Sequence, residues 1–88
     1  MANSAFITFE GGEGSGKSTQ IRRVVELLNS QGHDVLHTFE PGGTHYGQKI
    51  RHLILSPEKK EQLTSLTELL LYAADRAQHV ETVIKPAL

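Results

Sequence analysis

The stretch Gly11 to Ser18, GGEGSGKS, satisfies the pattern G-x-x-x-x-G-K-[ST] at every fixed position. Polyphosphates need many hydrogen-bond donors at once and little steric bulk around them. Gly11, Gly12, Gly14 and Gly16 let the backbone bend until its N–H groups point at one anion. A helix beginning near Lys17 adds its positive end. Lys17 can reach the β- and γ-phosphates, the Ser18 hydroxyl can ligate Mg2+, and Thr19 can donate toward the α-phosphate. With Glu13 and Ser15 inside the same loop, residues 11–19 form a candidate nucleoside triphosphate site. The competing reading, a glycine-rich turn that merely joins strand to helix, is disfavoured by the complete motif and its flanks. The loop alone leaves kinase, motor, switch and transport ATPase open.

The bulk of the sequence narrows the classes. At 88 residues it is at most one small domain with a modest core. There is no long apolar run to span a membrane, and Met1 to Ser4 lack the regions of a signal peptide. The absence of cysteine excludes a disulfide framework and a thiolate zinc site, so a cytoplasmic setting is the default. A net charge of -1 argues against general nucleic-acid binding but not against a nucleotide, which needs only a few local charges. The five histidines (His33, His37, His45, His52 and His79) show no metal-ligand spacing beside a carboxylate, and read as exposed residues of loops and helix faces.

These groups must be held by an α/β framework. Ala5 to Glu10, AFITFE, reads as a short strand of a parallel sheet covered on both faces. Ile21, Val24, Val25 and Leu28 then mark an amphipathic helix, closed near Gly32. Asp34 to Phe39 reads as a second strand, completing one right-handed βαβ unit. A loop over Glu40 to Gly47, EPGGTHYG, set by Pro41, Gly42 and Gly43, leads into a short helix over residues 48–55, with Ile50, Leu53 and Ile54 inward. A polar connection follows. Ser65 and Glu68 make a capping box for a long helix from about Leu66 to Ile84, with Leu66, Leu69, Leu70, Ala73, Ala77, Val80 and Ile84 as its apolar stripe. Two strands and about three helices are fewer than a doubly wound sheet contains, so the sequence reads as part of a longer protein.

FITFEGGEGSGKST, EPGGT and YAADRAQHVETVIKPAL occur in this order and at these spacings. Together they resemble the N-terminal part of a bacterial thymidylate kinase, over almost all of the 88 residues. The resemblance implies the P-loop nucleoside monophosphate kinase fold, with a parallel sheet and flanking helices, in a homodimer about two and a half times this length. It implies transfer of the ATP γ-phosphoryl group to dTMP, giving dTDP, with Mg2+.

Tyr72 and Arg76 share one face of the long helix. An aromatic ring and a guanidinium there can stack on a base and hydrogen-bond its edge; the alternative is a surface ring with a solvated arginine beside Asp75. The resemblance implies that the Tyr72 position stacks on thymine and Arg76 reads it. It implies that Glu13, a carboxylate that must point away from the phosphates, accepts the deoxyribose 3′-hydroxyl. It places Arg51 in the monophosphate pocket, and Gln78 less definitely near the acceptor. Phe39 departs from the family, which commonly carries arginine before EPGGT. The family's Asp-Arg strand and arginine-bearing lid have no counterpart in these residues, so residues 1–88 alone are not expected to be catalytically complete. Another P-loop nucleoside or nucleotide kinase, or a non-catalytic nucleotide-binding module, remains open.

Overall fold

A computed structural model describes residues 4–11, 16–56 and 61–88. It divides into two compact units, Met1–His37 and Thr38–Leu88.

The first unit is built on helix α1, Lys17–Ser30. Gly16 precedes it at φ 80°, a left-handed conformation open to glycine at little cost. Ile21, Val24, Val25 and Leu28 lie along one face and are half-buried. The helix ends in a Schellman arrangement. His33 N–H donates to Leu28 C=O at 3.0 Å and Gly32 N–H to Asn29 C=O at 3.1 Å, with Gly32 at φ 88°.

The expected parallel sheet is not found: among the described residues there is no strand. Residues 4–11 and 33–39 carry no regular structure. A strand exists only through its ladder, and among the described residues no backbone hydrogen bond joins these two segments. Several of their apolar side chains are also exposed, Phe6 and Ile7 each to 59%. The βαβ unit is therefore corrected to a helix flanked by segments without regular structure. β-Forming composition marks a segment able to pair, but it supplies no partner.

The second unit is helical. Helix α2, His45–Leu55, starts three residues before the position expected from its apolar pattern. Thr44 sets that start: its Oγ1 accepts the Gly47 N–H at 2.8 Å. Helix α3, Ser65–His79, is capped by Thr64 rather than by Ser65, through a 3.1 Å bond from the Thr67 N–H to Thr64 Oγ1. The helical path widens into a π-helical turn, Val80–Ile84, and closes with helix α4, Lys85–Ala87. Pro86 cannot donate to the Thr82 carbonyl, and the wider turn precedes that break in the ladder.

Helix α3 packs against α2 through a different face from the one its leucines suggest. Leu66, Leu69 and Leu70 are 60–65% exposed, whereas Asp75 and His79 are buried. Among the described residues no apolar side chain is fully buried. The interior of this unit is polar, and its order comes from hydrogen bonds to the loop 39–44.

Candidate active site

In the first unit, Gly11 is exposed and Gly16 forms the left-handed entry to α1. Lys17, half-buried, opens the first turn, followed by the exposed Ser18 and Thr19. The first intrahelical bond runs from Gln20 N–H to Gly16 C=O at 3.1 Å. The N–H groups of Lys17, Ser18 and Thr19 precede it and are left by the helix for an outside acceptor. No acidic residue lies in this turn, so the positive end of the helix is not neutralised there. Gly12, Glu13, Gly14 and Ser15 lie outside the described residues.

This end of α1 suits an anion, and the Ser18 hydroxyl is a hard oxygen donor of the kind Mg2+ takes. Among the described residues no three acidic or histidine side chains converge as a metal site. An ion held at Ser18 would draw its other oxygens from phosphate and water, as Mg2+ commonly does.

In the second unit, the loop 39–44 is clasped by α2 and α3. From α3, Asp75 Oδ1 accepts the Gly42 N–H at 2.9 Å. From α2, Arg51 Nη1 donates to the Pro41 carbonyl at 2.9 Å, and Gln48 Nε2 donates to the Gly42 carbonyl. The Arg51 guanidinium also lies over the Phe39 ring, 6.0 Å from its centroid. Two glycines permit this closeness. A Cβ on Gly43 would sit 2.5 Å from the Phe39 carbonyl oxygen and 2.8 Å from His79 Nε2; one on Gly47 would sit 2.6 Å from Asp75 Oδ1.

Glu40 joins the loop to α3 through both oxygens. Oε1 accepts Arg76 Nε–H at 2.6 Å, and Oε2 accepts His79 Nδ1–H at 2.7 Å. On the far side of the imidazole, Nε2 lies 2.6 Å from Thr38 Oγ1. Burial works to raise the Glu40 pKa. The hydrogen bonds from His79 and Arg76, with their charge, outweigh it and hold the carboxyl below its ordinary range. The two partners differ in surroundings: the side chain of Arg76 is 70% exposed and that of His79 only 3%. The Arg76–Glu40 pair therefore belongs with surface ion pairs, worth under about 1 kcal/mol.

Of the acceptor-side candidates, Arg51 and Arg76 are thus brought from different helices onto one loop. Arg51 is half-buried and engaged, not a solvated cation. Tyr72 is one turn before Arg76 on α3 and 40% exposed. Gln78 is half-buried. His79 corrects the reading of the histidines as exposed, and Asp75, one residue before Arg76, is fully buried. Glu40, Asp75, His79, Gln48 and Thr38 were not singled out by pattern. The available signal was the four-residue spacing of Leu71, Asp75 and His79, which sets two polar groups in line on the packed face.

Comparison with known proteins covers nearly the whole sequence. The thymidylate kinase family model matches residues 9–88. Thymidylate kinase of Desulfosudis oleivorans is 57% identical over 83 residues, which are 94% of this chain and 38% of that protein. Thymidylate kinase of an Exiguobacterium species is 55% identical, over 94% of this chain and 39% of its own. That of Clavibacter sepedonicus is 54% identical, over 94% and 38%. The chain therefore spans less than two-fifths of the length of the curated relatives it matches.

Proposed function

The chain belongs to the thymidylate kinase family, and on that premise we propose that the whole protein transfers the γ-phosphoryl group of ATP to dTMP, giving dTDP. The observation that carries the acceptor side is the convergence of Arg51 and Arg76, from two helices, on the loop 39–43. Phosphoryl transfer depends on positioning and on positive charge around the moving group, and requires little covalent chemistry from the protein.

In this reading the N–H groups of Gly11 to Thr19 and the Lys17 ammonium hold the ATP phosphates, and Ser18 ligates Mg2+. Glu13 accepts the 3′-hydroxyl of the acceptor sugar. Tyr72 stacks on the base, Arg76 hydrogen-bonds its edge, and Arg51 adds positive charge toward the monophosphate. Phe39 can neither donate a hydrogen bond nor carry charge, so the monophosphate depends on arginines elsewhere. The protein acts as a cytoplasmic homodimer on small nucleotides and has no nucleic-acid or membrane partner. The net charge of -1 gives no broad basic field for a nucleic acid.

The test is a panel of nucleoside monophosphates offered with ATP and Mg2+ to the natural full-length protein. Phosphorylation of dTMP well above dCMP, dGMP and dAMP is expected. Preference for another base would assign a different nucleotide kinase. ATP binding without transfer to any member of the panel would make it a nucleotide-binding module.

A further inference from the structure

Three side chains link the interior of the second unit to the guanidinium that, in the reading above, meets the acceptor base. Thr38 Oγ1 lies 2.6 Å from His79 Nε2, His79 Nδ1 lies 2.7 Å from Glu40 Oε2, and Glu40 Oε1 lies 2.6 Å from Arg76 Nε. An ionised carboxylate only accepts, so Nδ1–H donates to Glu40 and the tautomer is set at that end. The ring is fixed: its side chain is 3% exposed, and the Gly43 backbone packs so closely on it that a Cβ there would meet its Nε2 and Cδ2 at 2.8 and 2.9 Å. Arg76, by contrast, is a long, rotamer-rich side chain that is 70% exposed. Glu40 stands between them and divides its two oxygens between the fixed partner and the exposed one.

We infer that His79 is a positioning residue for acceptor recognition: held by Thr38, it fixes the Glu40 carboxylate, which in turn fixes the guanidinium of Arg76 for the base. The inference rests on the proposed role of Arg76 toward the base. An ion pair this exposed adds little stability, but a bond through Nε restricts the plane in which the guanidinium lies. Orientation matters here because a guanidinium only donates. Thymine presents a carbonyl oxygen at position 4 where cytosine presents an amino donor. An arginine held in one plane tells the two apart better than one free to sample many.

The experiment uses the natural full-length protein and calorimetric titration with dTMP, dCMP and ATP, alongside a thermal melt. His79→Leu removes both ring bonds and is expected to weaken dTMP binding about tenfold, the effect of losing one well-placed charged contact. It is also expected to narrow the preference for dTMP over dCMP and to leave ATP affinity within about twofold. His79→Asn, whose amide N–H can still serve Glu40, is expected to recover most of the dTMP affinity and selectivity. Thr38→Val, which leaves His79, Glu40 and Arg76 in place, is expected to weaken dTMP by about threefold in the same selective manner, and serves if His79→Leu does not fold. Unchanged dTMP affinity and selectivity in a folded His79→Leu or Thr38→Val protein overturns the inference. Equal loss of ATP and dTMP affinity does the same, since a purely structural role would move both. A wild-type protein that neither binds nor phosphorylates dTMP removes the acceptor reading, and this inference with it. A wild type that does both, with variants that stay selective, overturns the positioning role alone.

Discussion

Asp75 Oδ1 accepts the Gly42 N–H at 2.9 Å across 33 residues of sequence, from a side chain with no solvent exposure. This bond ties the loop 39–44 to α3. Its partner oxygen, Oδ2, is buried and finds no hydrogen-bond donor among the described residues. Asp75→Ala should therefore cost about 1–3 kcal/mol, because it leaves the buried Gly42 N–H unpaired. Asp75→Asn should cost less, since it keeps the Oδ1 acceptor and replaces a buried carboxylate by a neutral amide. Denaturant unfolding of the full-length protein measures both, and equal losses would show that the charge, not the acceptor, matters.

Gly47→Ala sets helix propensity against packing. Alanine gains up to about 1 kcal/mol in a helix interior. Its Cβ would, however, lie 2.6 Å from Asp75 Oδ1 and 2.9 Å from Thr44 Oγ1, displacing both the clasp and the cap of α2. A net loss of about 1–3 kcal/mol is expected. Gly32→Ala, at φ 88° with nothing within 4 Å, meets only backbone strain of about 1–2 kcal/mol. A melt in which Gly47→Ala is as stable as wild type would show that α2 and α3 can separate without loss.

Stability should depend on Glu40 at acid pH. Its folded pKa is depressed by His79 and Arg76, so above about pH 4.5 the carboxyl is ionised in both states and its contribution is complete. As pH falls below that value, the unfolded chain takes up the proton first, and the contribution is lost as pH falls through the lower folded value. Glu40→Gln should flatten this part of the stability curve, measured as the urea midpoint from neutral pH down to about pH 3. Wild type and variant losing stability in parallel would mean that Glu40 is not the group responsible.

Lys17→Ala should weaken ATP binding by about ten- to a hundredfold, the loss of one charge-assisted contact to phosphate. Binding of dTMP alone should change little. Calorimetric titration with each nucleotide separates the two, and unchanged ATP affinity would remove the phosphate site from the first turn of α1.

Phe39→Arg should tighten dTMP binding by a few fold, with the gain shrinking as salt is raised. The new guanidinium would replace a ring that now lies under Arg51, and would set two cations side by side. The nucleotide-free protein should therefore melt at a lower temperature than wild type, and added dTMP should restore it. A rise in melting temperature without dTMP would contradict this picture.

Much of the local structure was legible from residue order alone. The apolar spacing from Ile21 to Leu28 and the stop at Gly32 located α1, because helix periodicity and a left-handed glycine are properties of a single segment. The EPGGT loop was legible for the same reason, as was the pairing of Tyr72 with Arg76 on one helix face. The starts of α2 and α3 were misplaced because threonines at 44 and 64 compete as caps with their neighbours, and only the geometry of the Gly47 and Thr67 amides selects them. Tertiary structure decided the rest. Ala5 to Glu10 and Asp34 to Phe39 have the composition of strands, yet strand formation depends on a partner that composition does not supply. The leucines of α3 predicted its packed face, but that face lies outward and Asp75 and His79 lie inward. Burying a carboxylate or an imidazole is favourable only where specific donors and acceptors meet it. Those partners, Gly42 N–H, Glu40 and Thr38, stand more than thirty residues away along the chain and come within reach only once the loop has folded between the two helices.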